Sequence, residues 1–249
     1  MFLKWAPALL VAALAAPVLA HPGSGIVVSS TGDVYFLDTG AGVWKVDAKG
    51  ALTKVEAPRF HWMTLDAEGG LKNIQLPSGS SGEVTRVASV PGLMVASDFP
   101  LAVGKDGSLY YPRRAGSDRV DIVRLPASGP SSVLATLPVP YVNGMTAAPD
   151  GSLYVTEHKA IRKIDAQGKV TTVAASGCGS VLKIAPDGKV TKVLQLESPW
   201  SPTAVALSGG DLYVEEYLHT PDEDRRQWLP RVRKIAADGK ATVIATVSR

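Results

Sequence analysis

Beyond the first 20 residues, apolar and polar positions alternate in short runs, and the helical spacing of three and four is not sustained. β-Branched and aromatic residues fill these runs, while Gly, Pro and Asp fall between them, the pattern of short strands joined by tight turns. Two phrases recur. The first is Gly-x-Leu/Val-Tyr, as "GDVYF" at Gly32, "GSLYY" at Gly107, "GSLYV" at Gly151 and "GDLYV" at Gly210. The second is a basic-apolar phrase closing on a turn glycine: "VWKVDAKG", "IVRLPASG", "IRKIDAQG", "VLKIAPDG" and "VRKIAADG", ending at Gly50, Gly129, Gly168, Gly188 and Gly239.

The clearest unit predicts four strands in "GMTAA", "SLYVTE", "AIRKID" and "KVTTVA", with turns at "PDG" and "AQG". Units of about 40 residues with four strands each, repeated radially, predict an all-β fold, a β-propeller. Spacing counts the blades. Gly129 to Gly168 is 39 residues, one blade, and Gly50 to Gly129 is 79, two blades with a degenerate copy between Phe60 and about Ser89. Gly188 to Gly239 is 51, a blade plus the charged insertion "YLHTPDEDRRQWLP" between its second and third strands. Gly168 to Gly188 is only 20. The expectation is a six-bladed plan in which one blade, around residues 170–197, is about half missing. Its two surviving strands should form a ribbon with an unpaired inner edge and leave a notch.

Composition changes this picture only slightly. The opening "MFLKWAPALLVAALAAPVLA" has the form of an export signal: one Lys, a short apolar run and small residues before a cut after Ala20. A mature domain of residues 21–249 in the periplasm or outside the cell is expected, with no further membrane span. Net charge is +3, and +2 without Lys4, with no basic run, so nucleic acid is not an expected partner. Cys178 is the single cysteine, so no internal disulfide can form, and a monomer held by packing alone is expected. Its setting "SGCGS" is that of a tight loop rather than an activated thiol.

The phrases "PDGSLYVTE…IRKIDAQGKVTTVA" and "GGDLYVEEY…RVRKIAADGKATVIATV" resemble those of NHL-repeat propellers, over nearly the whole mature chain. "VNGMTAAPDGSLYVTE" is also similar to the gluconolactonase and senescence-marker group, whose members are metal-dependent lactone hydrolases. The resemblance implies a propeller fold, and fold alone does not carry an activity.

In a propeller the starts of the innermost strands ring one mouth of the channel. Alignment on the turn glycines puts Ser24, His61, Asp98 or Phe99, Asn143 and Thr203 there, with Trp200, Tyr217 and His219 overhanging from loops. A mouth of mixed polar and aromatic groups suits a small molecule or a protein segment. The lactonase resemblance implies a calcium-type ion held by a Glu, two Asn and an Asp. Here Asn143 matches one Asn, Asp98 approximates another, Ser24 stands where the Glu should be, and the strand for the last Asp falls in the half-missing blade. The leading expectation is therefore a binding scaffold. The alternatives are a calcium-dependent lactone or ester hydrolase using Asn143 and Asp98, and a degenerate copy without its parent's activity. Asp38, Glu157 and Glu216 occupy one repeat position and read as local acceptors in their blades' turns rather than an acid-base set. His21 at the mature N-terminus offers an amine and imidazole to copper only if His61 closes around it. His158 reads as solvated, and "PDEDRR" as a solvated loop or a lid.

Expression of the whole chain in a bacterial host, followed by intact-mass measurement of the exported product, should give a protein beginning at His21; a product retaining Met1 to Ala20 would overturn the export reading.

Overall fold

The structure is a computed structural model that describes residues 25–66, 69, 71, 82–157, 160–175, 179–185, 187, 189–218 and 229–248. The export signal, His21, Ser24, His158, Cys178, His219 and most of the charged insertion lie outside the described residues. Among the described residues every regular element is a strand, and no helix is long and apolar enough to cross a membrane.

The strands form a β-propeller arrangement of five blades, mainly four-stranded, accompanied by a two-stranded ribbon. The first blade runs in order β1 (Ile26–Val28), β2 (Val34–Asp38), β3 (Gly42–Val46) and β4 (Leu52–Val55). The second has β5 (Trp62–Leu65), β6 (Val84–Arg86) and β7 (Leu93–Ala96), with β7 in the middle. The third has β8 (Ala102–Val103), β9 (Leu109–Arg114), β10 (Val120–Leu125) and β11 (Ser132–Leu137); the fourth has β12 (Gly144–Ala147), β13 (Leu153–Thr156), β14 (Ala160–Ile164) and β15 (Val170–Ala175). The ribbon is β16 (Ser180–Ile184) with β17 (Val190–Gln195). The last blade is β18 (Trp200–Ser208), β19 (Asp211–Leu218), β20 (Pro230–Ile235) and β21 (Ala241–Thr246). All pairings are antiparallel, as hairpin connections this short require.

The second blade departs from the sequence reading, which ended it near Ser89. The structure carries it to Ala96, because "LMVA" supplies its central strand. All four of those residues are buried, so the run is apolar on both faces and carries neither the alternation nor the Gly-x-x-Tyr phrase that marks the other copies.

The two recurrent phrases are one device seen from two strands. Tyr35 stands opposite Lys45, Tyr110 opposite Arg124, Tyr154 opposite Lys163 and Tyr213 opposite Lys234. Each basic group also reaches an Asp just before its Tyr strand: Lys45 to Asp33 at 3.7 Å, Arg124 to Asp106 at 2.5 Å, Lys163 to Asp150 at 3.3 Å and Lys234 to Asp211 at 2.7 Å. The lysine ammonium lies 5.7 Å from the ring centre of Tyr154 in one blade and of Tyr213 in another. Half-exposed ion pairs of this kind contribute about 0–1 kcal/mol. Burying a large apolar side chain contributes about 1.5–3 kcal/mol, so the tyrosines supply the stability and the ion pairs fix the register. The turn at Gly151 needs a φ of 82°, and the carboxylate of Asp150 accepts the Ser152 amide there at 3.0 Å.

Blades pack face to face, with a separate apolar cluster at each junction. Tyr35, Leu37, Met63 and Val95 join the first to the second, and Met94, Phe99, Leu109 and Tyr111 join the second to the third. Tyr110, Ile122, Leu153 and Val155 join the third to the fourth. Val34, Phe36, Tyr213 and Val232 join the last to the first, and the ribbon rests on the last blade through Val181, Val214 and Ile235. The repeat tyrosine turns toward the following blade each time. Tyr35, Tyr110 and Tyr213 are accordingly 6%, 6% and 9% exposed, whereas Tyr154 is only half-buried.

Urea unfolding should resolve this difference. Tyr35→Ala or Tyr110→Ala should cost about 3 kcal/mol, and Tyr154→Ala on the order of 1 kcal/mol; equal losses would mean that Tyr154 is covered in solution.

Candidate functional site

The innermost strands lie side by side: β1 against β5 and β18, β5 against β8, and β8 against β12. Their starts therefore gather at one end, and the antiparallel second strands finish there as well. The same backbone contact recurs at this end: Leu37 N–H donates to Gly25 O at 3.0 Å, His61 N–H to Ala96 O at 3.1 Å and Asn143 N–H to Thr156 O at 2.8 Å.

The residues expected at this mouth divide into three groups. His61 is half-buried, with ring Nδ1 2.7 Å from Ser97 O, and Asp98 is exposed, accepting the Ser97 hydroxyl at 2.8 Å. These two therefore share Ser97. Asn143 is exposed at the start of β12, and Thr203 is half-buried with its hydroxyl 3.5 Å from Glu215 O. The remaining three have structural partners. Phe99 is 5% exposed and packs 6.1 Å from Tyr111, ring centre to ring centre, inside the cluster between second and third blades. Trp200 carries the Arg231 guanidinium 3.4 Å above its ring. Tyr217, expected at the rim, is 1% exposed, and its hydroxyl donates to Leu37 O at 2.8 Å across the junction of last and first blades.

The carboxylates at the repeated position act within their own blades. Asp38 accepts the Gly40 amide at 2.9 Å. Glu157 holds Arg162 at 2.8 and 2.6 Å, and Glu216, fully buried, holds Arg231 at 2.5 Å and Arg233 at 2.6 Å. Among the described residues Asp38 takes a turn amide, while the two glutamates take arginines from the neighbouring strand, whose forked donors match a carboxylate. Arg113 and Asp121 form the same cross-strand pair with the charges exchanged, at 2.9 Å.

Sequence reasoning passed over Glu215. It stands two residues beyond Tyr213, where the other copies have Leu37, Pro112 and Thr156. That charge at an inward strand position was the available signal. The side chain shares the Tyr213 face, turned to the first blade, and is fully buried. Gly25 N–H donates to its Oε2 at 3.0 Å, while Oε1 has no hydrogen-bond partner. Burial, reinforced by the nearby charge of Asp38, raises its pKa well above the carboxylate range despite the Gly25 bond.

The opposite end of the channel, where the innermost strands finish, holds a cavity of about 370 Å³ lined by Leu65, Asp66, Val103, Lys105, Ala147 and Pro149. Among the described residues no three His, Cys, Asp or Glu side chains converge to hold a metal. Calcium takes about six to eight oxygen ligands. Asn143 and Asp98 bring one amide and one carboxylate toward such a set, and Ser97 donates its hydroxyl to Asp98 Oδ2.

No family model matches the chain, and no curated protein matches it. Solved structures similar to it include a virginiamycin B lyase from Staphylococcus aureus, at 17% identity over 89% of this chain and 83% of that one, with a TM-score of 0.48. A gluconolactonase from Xanthomonas campestris is similar at 12% identity over 76% and 67%, with a TM-score of 0.41. The extracellular domain of a protein assigned as a hybrid two-component system in B. thetaiotaomicron is similar at 11% over 94% and 39%, with a TM-score of 0.48. At such identities the chemistry has to come from this chain's own residues.

Glu215 gives that chemistry a measurable signature. Its folded pKa lies above its unfolded one, so its contribution to stability is full below the ordinary carboxylate range and is lost as pH rises through the folded value. Glu215→Gln keeps the shape without the charge. The variant should be more stable than the native protein at pH 7–8 by about 1–3 kcal/mol, with the gap closing toward pH 4. Parallel pH profiles of melting temperature for the two proteins would show that Glu215 is not the titrating group.

Proposed function

We propose that this chain is an exported, NHL-type β-propeller on a six-bladed plan that serves as a binding scaffold, taking a small molecule or a protein segment at the mouth where its innermost strands begin. What supports the reading is the set of polar groups that separate blades hold toward that end: His61 and Asp98 around Ser97, exposed Asn143, Thr203, and the buried carboxyl of Glu215. A few oriented polar groups on rigid strands, set over an apolar junction, make a site that discriminates by hydrogen bonding. The opposite opening is lined chiefly by apolar residues, with buried Asp66 and exposed Lys105 as the charged ones.

Ligand screening by thermal shift tests this without presuming a chemistry. A compound or peptide that binds the mouth should raise the melting temperature of the native protein by mass action. The rise should fall by at least half in Asn143→Ala and His61→Ala and persist in Lys105→Glu. Retention of the full rise in both mouth variants, with loss in Lys105→Glu, would move the site to the opposite opening.

A further inference from the structure

Three independent observations concern the ribbon and the blades before and after it in the chain. From the fourth blade, Tyr154 stands half-buried where its three counterparts are covered by a following blade. From the last blade, Val205 lies opposite Val214 and Leu207 opposite Leu212, so all four share one face. The ribbon covers Val214, yet Val205 is 50% and Leu207 76% exposed. At the back lies β16. Its counterparts β3, β10, β14 and β20 each pair with a strand on both sides, whereas among the described residues β16 pairs with β17 alone.

Lys183 shows what that edge is built to meet. On the outer side it stands opposite Thr191, as Lys45, Lys163 and Lys234 stand opposite Thr53, Thr171 and Thr242. On the inner side those lysines face a Tyr strand and an Asp; Lys183 is exposed and has no acidic partner among the described residues. We propose that this flank is a docking site for an extended segment of another protein, which adds as a strand to the free edge of β16. Backbone hydrogen bonds supply the pairing, and alternate side chains supply selectivity. The segment carries an aromatic residue opposite Lys183, resting on Val205 and Leu207, and a carboxylate two to four residues before it to meet the ammonium. That spacing is the one from Asp211 to Tyr213 and from Asp150 to Tyr154. A second copy of this chain is not the occupant, because each of its own Tyr strands already sits inside a blade. The site lies on the flank of the ring, and its occupation does not depend on the mouth.

The probe is a fluorescently labelled peptide with the sequence of residues 144–157, "GMTAAPDGSLYVTE", which carries a first strand, a turn and a Tyr strand. Titration with the full mature chain, read by anisotropy, should give saturable binding with Kd on the order of micromolar. Lys183→Glu and Leu207→Asp, both at exposed positions, should each weaken binding about tenfold or more. A peptide with Lys in place of Asp150 should recover affinity for Lys183→Glu but not for the native chain. Asn143→Ala should bind as the native chain does, which separates this site from the mouth. The proposal is overturned by no saturation at about 1 mM peptide, by equal binding to both flank variants, by loss in Asn143→Ala alone, or by sedimentation showing that the flank is closed by a second copy.

Discussion

A ring of sheets holds only if its last member is fixed to its first. Here that junction combines an apolar cluster around Phe36, Tyr213 and Val232 with two directional bonds, Gly25 N–H to Glu215 and the Tyr217 hydroxyl to Leu37 O. The apolar contacts supply most of the free energy, and the hydrogen bonds set how one blade sits on the other, since packing alone permits sliding. The position also demands glycine. A Cβ at residue 25 would lie 2.5 Å from Met63 Cγ and 2.6 Å from Leu37 Cδ1, so first and second blades close over it. Burial of the carboxyl that anchors the junction, reinforced by the charge of Asp38, is the origin of its raised pKa.

Within each blade a second constraint repeats. The Asp–base–Tyr ladder ties the turn before the second strand to the third strand, so a slip of one residue would break the ion pair and expose the ring together. The cross-strand pairs at the other end vary freely, as Glu157 with Arg162, Glu216 with two arginines, and Arg113 with Asp121 reversed. Opposite charge is kept there while its direction is not. The strand ends there can therefore change identity without loss of register. In the ribbon, Lys183 stands opposite Thr191 as the ladder's lysines stand opposite their own threonines.

Much of the fold was legible because the repeat writes the same local chemistry several times. Turn glycines, alternating strands and the Tyr and basic phrases located four blades and the ribbon from their spacing. The second blade was blurred because its central strand, Leu93–Ala96, is buried on both faces and so loses the alternation. At the mouth, alignment on the turn glycines named His61, Asp98, Asn143 and Thr203, but sequence spacing cannot say which way a side chain turns. Phe99 and Tyr217 turned inward to apolar junctions.

The sequence by itself determined the strands, the turns and the pairing within each blade, because those depend on neighbours a few residues apart and on side-chain period. Only the tertiary structure decided what lies between blades. Glu215 acquires its character from Gly25, a residue 190 positions away. Val205 and Leu207 are exposed although the ribbon covers Val214 beside them, and Tyr154 is half-buried where its three counterparts are buried. Burial is set by the sum of all neighbours in space, and local pattern records only which face a residue takes, not whether anything covers that face.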